Sequence, residues 1–449
     1  MQSKGSAAKT LIVGLGTTGL SCARFLAAQG VQVAVADSRS EPPGLDALNA
    51  EYPDIAVFLG PFDERLFDSA ERLVVSPGVS VATPQIDAVR RRGIPVMGDI
   101  ELFVRAAAAP VVAITGSNGK STVTTLLGEM ARANGINVAV GGNLGIPALD
   151  LLDDAVELYV LELSSFQLET TDSLQAAVAT VLNVSPDHMD RYASVEDYAS
   201  AKARVMRGAG VGVFNADDPI VAAMGGADDA WYFTLGESQN DKMFGVCTVD
   251  GQEYLCRGEQ PLLATGELRI PGLHNRANAL AALAMGTALG FDLALMLETL
   301  RKFRGLPHRT EYVTEFKGVR WYNDSKGTNI GASIAALQGL DRADASRTVL
   351  IAGGDCKGAD FSQLGPVLAA CARGLVTIGR DGAHVAAVAP ASVPTVAARD
   401  MDDAVAKAAA MALPGDRVLL SPACASFDMF SGFAQRGDRF MQAVRRFVR

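Results

Sequence analysis

The sequence predicts an α/β protein built from three successive units, and three observations lead to this prediction. Strand and helix patterns alternate over the first ~100 residues. A glycine-rich phosphate loop follows a new strand near Pro110, and a third unit begins near Arg304. At about 100–200 residues per domain, a chain of 449 residues is long enough for two to four domains with substantial cores.

The first unit, residues 1–105, is predicted to be a parallel sheet with crossover helices. A helix is expected over residues 20–28. Short apolar runs typical of buried strands occur at residues 10–13, 31–37, 73–75 and 95–97.

The second unit, residues 106–304, begins with a strand at 111–114 and continues with a helix over 123–130. Further strands are expected at 159–161 and 178–182, and helices at 275–289 and 293–303. The pair Asp250-Gly251 indicates an antiparallel hairpin. The third unit, residues 305–449, has predicted strands at 319–322, 348–351 and 417–420.

Composition limits the function classes. A net charge of −10 argues against bulk nucleic-acid binding, although a local basic pocket for a small anion is compatible with it. The six cysteines form no Cys-x-x-Cys pair, which predicts reduced thiols rather than a disulfide frame or a zinc site. We see neither a signal peptide nor an uninterrupted apolar run of the ~18–20 residues that a membrane span needs. We therefore expect a soluble, cytoplasmic protein.

Residues 115–122 read Thr-Gly-Ser-Asn-Gly-Lys-Ser-Thr between a predicted strand and a predicted helix. Such a loop directs backbone N–H groups and the positive end of a helix dipole at a phosphate. Lys120 would reach the terminal phosphates and the Ser121 hydroxyl would ligate Mg²⁺. Ile114 stands where the standard pattern has its first glycine, so the match is a variant. A purely structural turn is the alternative.

A second glycine motif, Gly-Leu-Gly-Thr-Thr-Gly at residues 14–19, follows the first strand, and Asp37 ends the next one. This arrangement is typical of dinucleotide binding, with the carboxylate on a ribose hydroxyl. Two alternatives stay open: another diphosphate such as that of a UDP-sugar, and a tight turn that needs glycine for packing. Residues 76–78 would lie at the same sheet edge.

Ionisable residues follow two strands of the second unit. Glu162 ends a strand and is a candidate Mg²⁺ ligand, with a helix cap or a surface position as alternatives. Residues 187–191, Asp-His-Met-Asp-Arg, are dense enough in charge to suggest a metal or phosphate site rather than a solvated turn. Lys202 lies in a predicted helix, where the default interpretation is a solvated lysine. His384 is interpreted as structural.

The third unit carries three polar loops after strands, at residues 323–329, 353–358 and 421–427. The first two contain glycine and lysine, which suit a carboxylate-bearing or phosphorylated small ligand. Three such loops at one sheet edge predict a binding face.

Taken in order, these motifs resemble those of the Mur ligases of peptidoglycan synthesis, and the resemblance covers essentially the whole chain. The most specific stretches are residues 161–169, 187–191, 306–309 and 421–430. The resemblance implies a Rossmann-like N-terminal domain for a UDP-sugar, a central ATPase domain, and a Rossmann-like C-terminal domain that binds an amino acid and closes on ATP. It is strongest to members that join D-glutamate to UDP-N-acetylmuramoyl-L-alanine through an acyl phosphate, with ATP as co-substrate.

The resemblance also implies residue roles. The catalytic set would be Lys120, Glu162, His188 and Lys202. Two Mg²⁺ sites would use Ser121, Glu162, His188 and Lys202, the last as a carbamate. ATP would contact Gly116, Ser117, Asn118, Gly119, Lys120, Ser121, Thr122, Asn275, Asn278, Arg309 and Asp324. The UDP-sugar would contact Leu15, Thr17, Thr18, Asp37, Ser38, Arg39, Ser76, Gly78, Asn143 and Ser164. Glutamate would contact Thr328, Lys357, Ser426, Phe427 and Phe433.

Two positions depart from the family pattern: Cys356 stands where glycine is common, and Gly327 where alanine is common. These departures concern loop geometry and remove no functional group. A sibling ligase that adds another amino acid, such as L-glutamate, is the nearest alternative function. An NAD-dependent oxidoreductase and a non-catalytic ATP-binding module are more remote, because both leave several motifs unused. We expect a monomer.

Overall fold

The computed structural model describes residues 9–340, 346–356 and 358–448. The chain forms three α/β domains, each built on its own sheet, so the predicted fold class is confirmed. Within the described residues, no helix is both long enough and apolar enough to cross a membrane.

The N-terminal domain is a five-stranded parallel sheet flanked by helices. Its strands are β1 (Thr10–Val13), β2 (Val33–Asp37), β3 (Ala56–Leu59), β4 (Arg72–Val75) and β5 (Val96–Met97). Its helices are α1 (Thr17–Ala28), α2 (Leu45–Glu51), α3 (Glu64–Asp68) and α4 (Pro84–Arg91), and α5 (Asp99–Ala106) leads into the next domain. The strand order β3-β2-β1-β4-β5 is that of a nucleotide-binding Rossmann sheet, with the strand order reversing next to β1.

The central domain has a nine-stranded sheet. Its strands are β6 (Val111–Thr115), β7 (Val138–Gly142), β8 (Leu158–Glu162), β9 (Val178–Val181), β10 (Ala209–Asn215), β11 (Ala227–Phe233), β12 (Met243–Val249), β13 (Gln252–Arg257) and β14 (Gln260–Ala264). Its helices are α6 (Lys120–Ala133), α7 (Ser165–Glu169), α8 (Val195–Ala203), α9 (Pro219–Ala222), α10 (Leu273–Ala288) and α11 (Leu293–Lys302). The order is β14-β13-β12-β11-β10-β9-β6-β8-β7, and only the pairings of β13 are antiparallel.

The C-terminal domain has a six-stranded sheet in the order β15-β16-β20-β17-β18-β19. The strands are β15 (Glu311–Phe316), β16 (Val319–Asn323), β17 (Thr348–Ala352), β18 (Ala372–Thr377), β19 (Thr395–Ala397) and β20 (Arg417–Leu420). The helices are α12 (Ile330–Leu340), α13 (Leu364–Cys371), α14 (Gly382–Ala387), α15 (Met401–Met411) and α16 (Phe433–Phe447). Only β15 runs antiparallel to its neighbour.

The predicted hairpin at Asp250-Gly251 is confirmed. It joins the antiparallel strands β12 and β13, and both residues have positive φ, 51° and 78°, as a type I′ turn requires. The start of α1 was predicted too late: the helix begins at Thr17, because its polar first turn belongs to the glycine loop. The apolar pattern begins only at Leu20, so it does not indicate the first turn of the helix.

The N-terminal and central domains share one continuous apolar cluster. Ile12 and Leu26 from the first sheet and its helix belong to the same cluster as Tyr159 and Leu161 of β8. Phe103 of α5 joins the two sides, with its ring edge-on to Tyr159 at a centroid distance of 5.0 Å. The two apolar clusters of the C-terminal domain contain residues of that domain alone. The first two domains are therefore joined by apolar packing, whereas the apolar clusters of the third domain are separate from theirs.

Helix α11 offers a matched test of the central core. Leu300 is completely buried there, whereas Leu295 on the same helix is 41% exposed. We expect Leu300→Ala to lower the free energy of unfolding by about 2–5 kcal/mol, because it removes buried methyl groups and leaves a cavity. Leu295→Ala should change it by less than about 0.5 kcal/mol. Urea unfolding of both variants measures the difference, and equal midpoints would contradict this packing.

Candidate active site

The loop between β6 and α6 has the geometry of an anion-binding site. It ends at Gly119, which has φ of 85° and caps the fourteen-residue helix α6. A Cβ at this position would collide with the side-chain amide oxygen of Asn278. Glycine therefore satisfies both the backbone conformation and the close approach of α10. The free N–H groups and dipole of α6 favour negative charge at this point.

Behind this loop, Ser121 and Glu162 form a buried pair. The Ser121 hydroxyl donates to Glu162 Oε2 at 2.6 Å, and the Asn143 amide donates to Oε1 at 2.7 Å. Glu162 is the last residue of β8 and is 3% exposed, so it is neither a surface residue nor a helix cap. The cap of α7 is Ser164, which forms a capping box with Gln167.

Lys202 is not a solvated lysine, and that default interpretation was wrong. Its side chain is 1% exposed, donates to the Gly116 carbonyl at 2.9 Å, and lies 4.3 Å from the centre of the Tyr198 ring. Lys120 donates to the same carbonyl at 2.8 Å and to that of Ser117 at 3.0 Å. Burial, followed by the charge of Lys120, holds the pKa of Lys202 well below its usual value.

The charged loop at residues 187–191 is only partly turned inward. The His188 ring lies 4.9 Å from the Phe166 ring and 6.3 Å from that of Tyr198, although its side chain is 43% exposed. Met189 and Asp190 are also exposed. Burial lowers the pKa of His188, although Asp187 next to it acts in the opposite direction. His188 and Lys202 thus both flank Tyr198, which brings them to one side of the phosphate loop.

A pocket with a mixed polar and apolar lining lies between the central and C-terminal domains. Of the predicted ATP contacts, those that line it are Asn118, Gly119, Thr122, Asn275, Asn278, Arg309 and Asp324. Gly116, Ser117, Lys120 and Ser121 are not part of the pocket lining. The lining also includes residues that sequence reasoning missed, among them Asn183, Phe233 and His274. Lys326 lines it as well, and its loop was predicted to suit a carboxylate-bearing or phosphorylated small ligand.

Arg309 connects the two domains at this pocket. Its guanidinium donates to the Ser121 hydroxyl at 2.7 Å, and burial lowers its pKa. Nearby, the Asn329 amide donates to Asp187 at 3.1 Å and to Asn118 at 3.3 Å. The C-terminal domain is therefore closed over the phosphate loop.

Asp324 is buried beside Arg309. It accepts hydrogen bonds from the Thr310 N–H at 3.0 Å and the Ser421 hydroxyl at 2.7 Å. Burial nevertheless raises its pKa to about 6, so a fraction of this carboxyl is protonated near neutral pH.

A second cleft lies between the N-terminal and central domains. The predicted sugar-nucleotide contacts that line it are Thr17, Thr18, Asp37, Ser38, Arg39, Ser76, Gly78 and Asn143. Leu15 is fully buried and Ser164 caps α7, so these two do not line the cleft. Gln167 also lines the cleft but was not predicted as a contact, because its apolar neighbours in the sequence do not indicate a binding site.

The strand-end carboxylate of Asp37 is held by the glycine loop after β1 and by its own loop. It accepts the Leu15 N–H at 2.7 Å and pairs with the Arg39 guanidinium at 2.6 and 2.8 Å. Although burial acts to raise the pKa of Asp37, these hydrogen bonds outweigh it and lower the pKa to about 2. Asp37 is therefore ionised at neutral pH.

Comparison with known proteins agrees with this architecture. Three family profiles match in succession: "Mur ligase MurD-like, N-terminal domain" at residues 8–98, "Mur ligase middle domain" at 114–286, and "Mur ligase, glutamate ligase domain" at 308–424. The chain is 53% identical over 437 residues to the UDP-N-acetylmuramoylalanine–D-glutamate ligase of Marinobacter nauticus, covering 97% of this chain and 98% of that protein. It belongs to the Mur ligase family.

Other relatives extend this finding. The D-glutamate ligase of Nitrosococcus oceani is 54% identical over 441 residues, 98% of this chain and 97% of that protein. The solved UDP-N-acetylmuramate-alanine ligase of Thermotoga maritima has a TM-score of 0.61 at 18% identity, covering 98% of this chain and 100% of that one. MurF of Acinetobacter baumannii has a TM-score of 0.61 at 16% identity, and the match covers 98% of this chain and 95% of that one. Among these, the solved structures show the shared three-domain Mur ligase fold.

The remaining predicted residues of this Mur ligase lie on the C-terminal loops. Ser426 is buried, Phe433 is half-buried at the start of α16, and Thr328 and Phe427 are exposed, Phe427 by 71%. Lys357 lies outside the described residues.

The buried guanidinium of Arg436 holds two of these C-terminal loops together. It donates to the hydroxyl and the carbonyl of Ser325 on one side, and to the carbonyls of Cys424 and Ala425 on the other.

The oxygen donors near the phosphate loop suit Mg²⁺. Within the described part of the chain, no group of three or more His, Cys, Asp and Glu residues is arranged to hold a metal ion. Mg²⁺ in nucleotide sites rarely needs such a cage, since one or two protein oxygens, phosphates and waters complete its octahedron. The hydroxyl of Ser121 and the carboxylate of Glu162, 2.6 Å apart, fit that requirement.

Lys326 provides a pH test of the pocket. Burial, followed by the charge of Arg309, lowers its pKa to about 8, and its ammonium lies 3.9 Å from the Phe433 ring centre. Only the protonated form attracts a phosphate, so the affinity for ATP should fall as the pH rises through about 8. Lys326→Arg should weaken this fall, because arginine stays charged. Calorimetric titration with ATP from about pH 7 to 9.5 measures the affinity of the wild type and of the variant. The same dependence of affinity on pH in the two proteins would contradict a role for Lys326.

Proposed function

We propose that this chain is an ATP-dependent, ADP-forming ligase that joins D-glutamate to UDP-N-acetylmuramoyl-L-alanine in the synthesis of peptidoglycan precursors. Its similarity to D-glutamate ligases over 97% of its length carries the proposal. The geometry agrees, because a phosphate loop, a buried carboxylate and an arginine from a second domain converge at one point.

In the first step, the muramoyl-alanine carboxylate attacks the γ-phosphorus of ATP, forming an acyl phosphate and releasing ADP. Phosphoryl transfer needs positioning and neutralisation of charge more than covalent participation by the protein. Lys120, Lys326 and Arg309 provide three cations, and the N-terminus of α6 provides backbone donors. Asn275, Asn278 and Asp324 would orient the nucleotide.

In the second step, the amine of D-glutamate attacks the acyl carbonyl, and inorganic phosphate leaves from the tetrahedral intermediate. The same cations would stabilise its developing negative charge. The amino acid would be held by the C-terminal loops through Thr328, Lys357, Ser426, Phe427 and Phe433. Arg436 supports this role indirectly, because it holds the loops of Ser325 and Cys424 together.

We propose that Mg²⁺ assists at two sites, the first held by Ser121 and Glu162. When bound, Mg²⁺ would neutralise charge on the phosphate oxygens. His188 and Lys202 would serve the second site, with Lys202 as a carbamate. Both flank Tyr198, and the lowered pKa of Lys202 supplies the neutral amine that carbamylation by CO₂ requires.

The sugar nucleotide would lie in the cleft of the N-terminal domain, with Asp37 and Arg39 near its uridine diphosphate and Asn143 near the muramoyl group. Leu15 and Ser164 could then contribute only through their backbone or by positioning neighbours. We propose domain boundaries at residues 105/106 and 304/305, between the strands of successive sheets.

We further propose that the enzyme acts as a monomer in the cytoplasm, where ATP is available, and so supports cell-wall growth, cell shape and division. The six cysteines include no Cys-x-x-Cys pair, which fits a reducing compartment.

The decisive experiment measures ADP release from ATP and UDP-N-acetylmuramoyl-L-alanine with a panel of amino acids. We expect release to require both the sugar nucleotide and D-glutamate. Lys120→Ala should lose orders of magnitude in rate, roughly 3–4 kcal/mol by analogy with a lost oxyanion donor. Lys302→Ala, on an exposed side chain, is the matched control.

Turnover with L-glutamate or another amino acid instead would indicate a sibling ligase. NADH oxidation without ADP release would replace the proposal by an oxidoreductase.

Lys202→Ala tests the proposed carbamate. A large loss of activity is expected, partly rescued by small carboxylic acids that can occupy the vacated anionic position. Wild-type activity should also depend on dissolved CO₂. Lys242→Ala, which removes an exposed lysine, controls for the change of residue type. An active Lys202→Ala enzyme, or a loss with neither rescue nor CO₂ dependence, would return Lys202 to a structural role.

A further inference from the structure

Two buried thiols face each other beside the proposed glutamate loops. Asp355 and Ala425 form an isolated antiparallel bridge in which each N–H donates to the other carbonyl, at 3.0 and 2.9 Å. Cys356 follows one member of this bridge and Cys424 precedes the other. The two cysteines are therefore directly opposite, at the next position of the same short antiparallel pairing.

The backbone places these side chains favourably for a covalent link. In antiparallel pairing, the position next to a hydrogen-bonded pair is a non-hydrogen-bonded pair, whose Cα atoms are about 4.5 Å apart and whose side chains lie closer. That spacing falls within the range of about 4.4–6.8 Å over which cysteines can be bridged without backbone movement. The two Sγ atoms are in contact at 2.6 Å.

The partners of both cysteines hold them in place. The Cys356 N–H donates to Asp381 at 2.9 Å, and Arg436 donates to the Cys424 carbonyl at 3.0 Å. Cys424 is 1% exposed, and its contact with Cys356 together with burial raises the pKa of its thiol. Cys356 is 6% exposed and lines an open surface pocket with Arg380. A small oxidant can therefore reach Cys356 first.

We propose that Cys356 and Cys424 are a redox modification site that forms a reversible intramolecular disulfide when the protein meets a peroxide. The Cys356 sulfur attacks one peroxide oxygen, giving a sulfenic acid and water. The Cys424 sulfur then attacks the sulfenic sulfur and releases a second water. Two thiols lose two electrons and two protons in total, and one hydrogen peroxide becomes two waters. A small dithiol reverses the reaction by thiol–disulfide exchange.

This link would join two loops that are 68 residues apart. Ser426, a proposed glutamate contact, lies two residues beyond Cys424, and Lys357, a second proposed contact, follows Cys356 in the sequence. The effect on catalysis rests on the proposed function, whereas formation of the disulfide does not. Because the amino-acid loops would lose their freedom to adjust, the disulfide raises KM for D-glutamate several-fold. It leaves KM for the sugar nucleotide unchanged.

The experiment uses the full-length protein, fully reduced and then treated with hydrogen peroxide. We expect an intact mass lower by two hydrogen atoms, a proteolytic peptide that links Cys356 to Cys424, and a several-fold rise in KM for D-glutamate. Dithiothreitol should reverse all three. Cys356→Ser and Cys424→Ser should each abolish the link and the peroxide-dependent rise in KM for D-glutamate.

A second thiol pair supplies the matched control. Cys256 is adjacent to Cys247 across β12 and β13, and burial together with this neighbour raises its pKa to about 12. Cys247→Ser should leave both the 356–424 link and the kinetic change intact.

Peroxide-treated protein in which both Cys356 and Cys424 remain open to alkylation would overturn the proposal. A complete link with an unchanged KM for D-glutamate would overturn its regulatory part. A reduced enzyme without ligase activity would instead count against the proposed function. The linked peptide would still show whether the disulfide forms.

Discussion

The organisation of the active site follows from the burial of positive charge around one carboxylate. Lys202 is fully buried and Lys120 and Arg309 are half-buried near Glu162, and burial lowers the pKa of each of these three groups. Such charges are costly unless they are compensated, and the lowered pKa values show that the carboxylates of Glu162, Asp187 and Asp324 do not fully offset this cost. A polyphosphate would supply the missing negative charge, so the site is arranged for a ligand rather than for maximal stability.

This arrangement depends on contacts between domains that differ in character. The N-terminal and central domains share a continuous apolar cluster, which favours a fixed relative position. The C-terminal domain reaches the phosphate loop through hydrogen bonds of Arg309 and Asn329. Polar contacts of this kind can exchange with water at low cost, so nucleotide binding can control closure of this domain. The proposed chemistry uses both properties, a stable cleft for the sugar nucleotide and a movable domain for the amino acid.

The proposed thiol pair adds a further constraint on the movable domain. Arg436 already holds the Ser325 and Cys424 loops by neutral carbonyl and hydroxyl contacts. A disulfide at Cys356 would fix a third loop to the same point. Non-covalent contacts allow the loops to adjust around a substrate, whereas a covalent link does not, so the oxidation state of two cysteines would act on amino-acid binding alone.

The sequence by itself determined the features that depend on neighbouring residues. Glycine loops, strand ends, the Asp250-Gly251 hairpin and the order of the motifs are local patterns, and they predicted the three-domain α/β fold and the family. The tertiary structure alone decided which side chains are buried and which distant residues meet. The sequence around Lys202 is typical of a solvated helical lysine, and only the packed structure shows that this side chain is buried. Arg309 donates a hydrogen bond to Ser121, which lies 188 residues earlier in the sequence. Gln167 lines its cleft through contacts of the same kind. Burial and long-range contact are properties of the packed chain, since both depend on elements that are far apart in sequence.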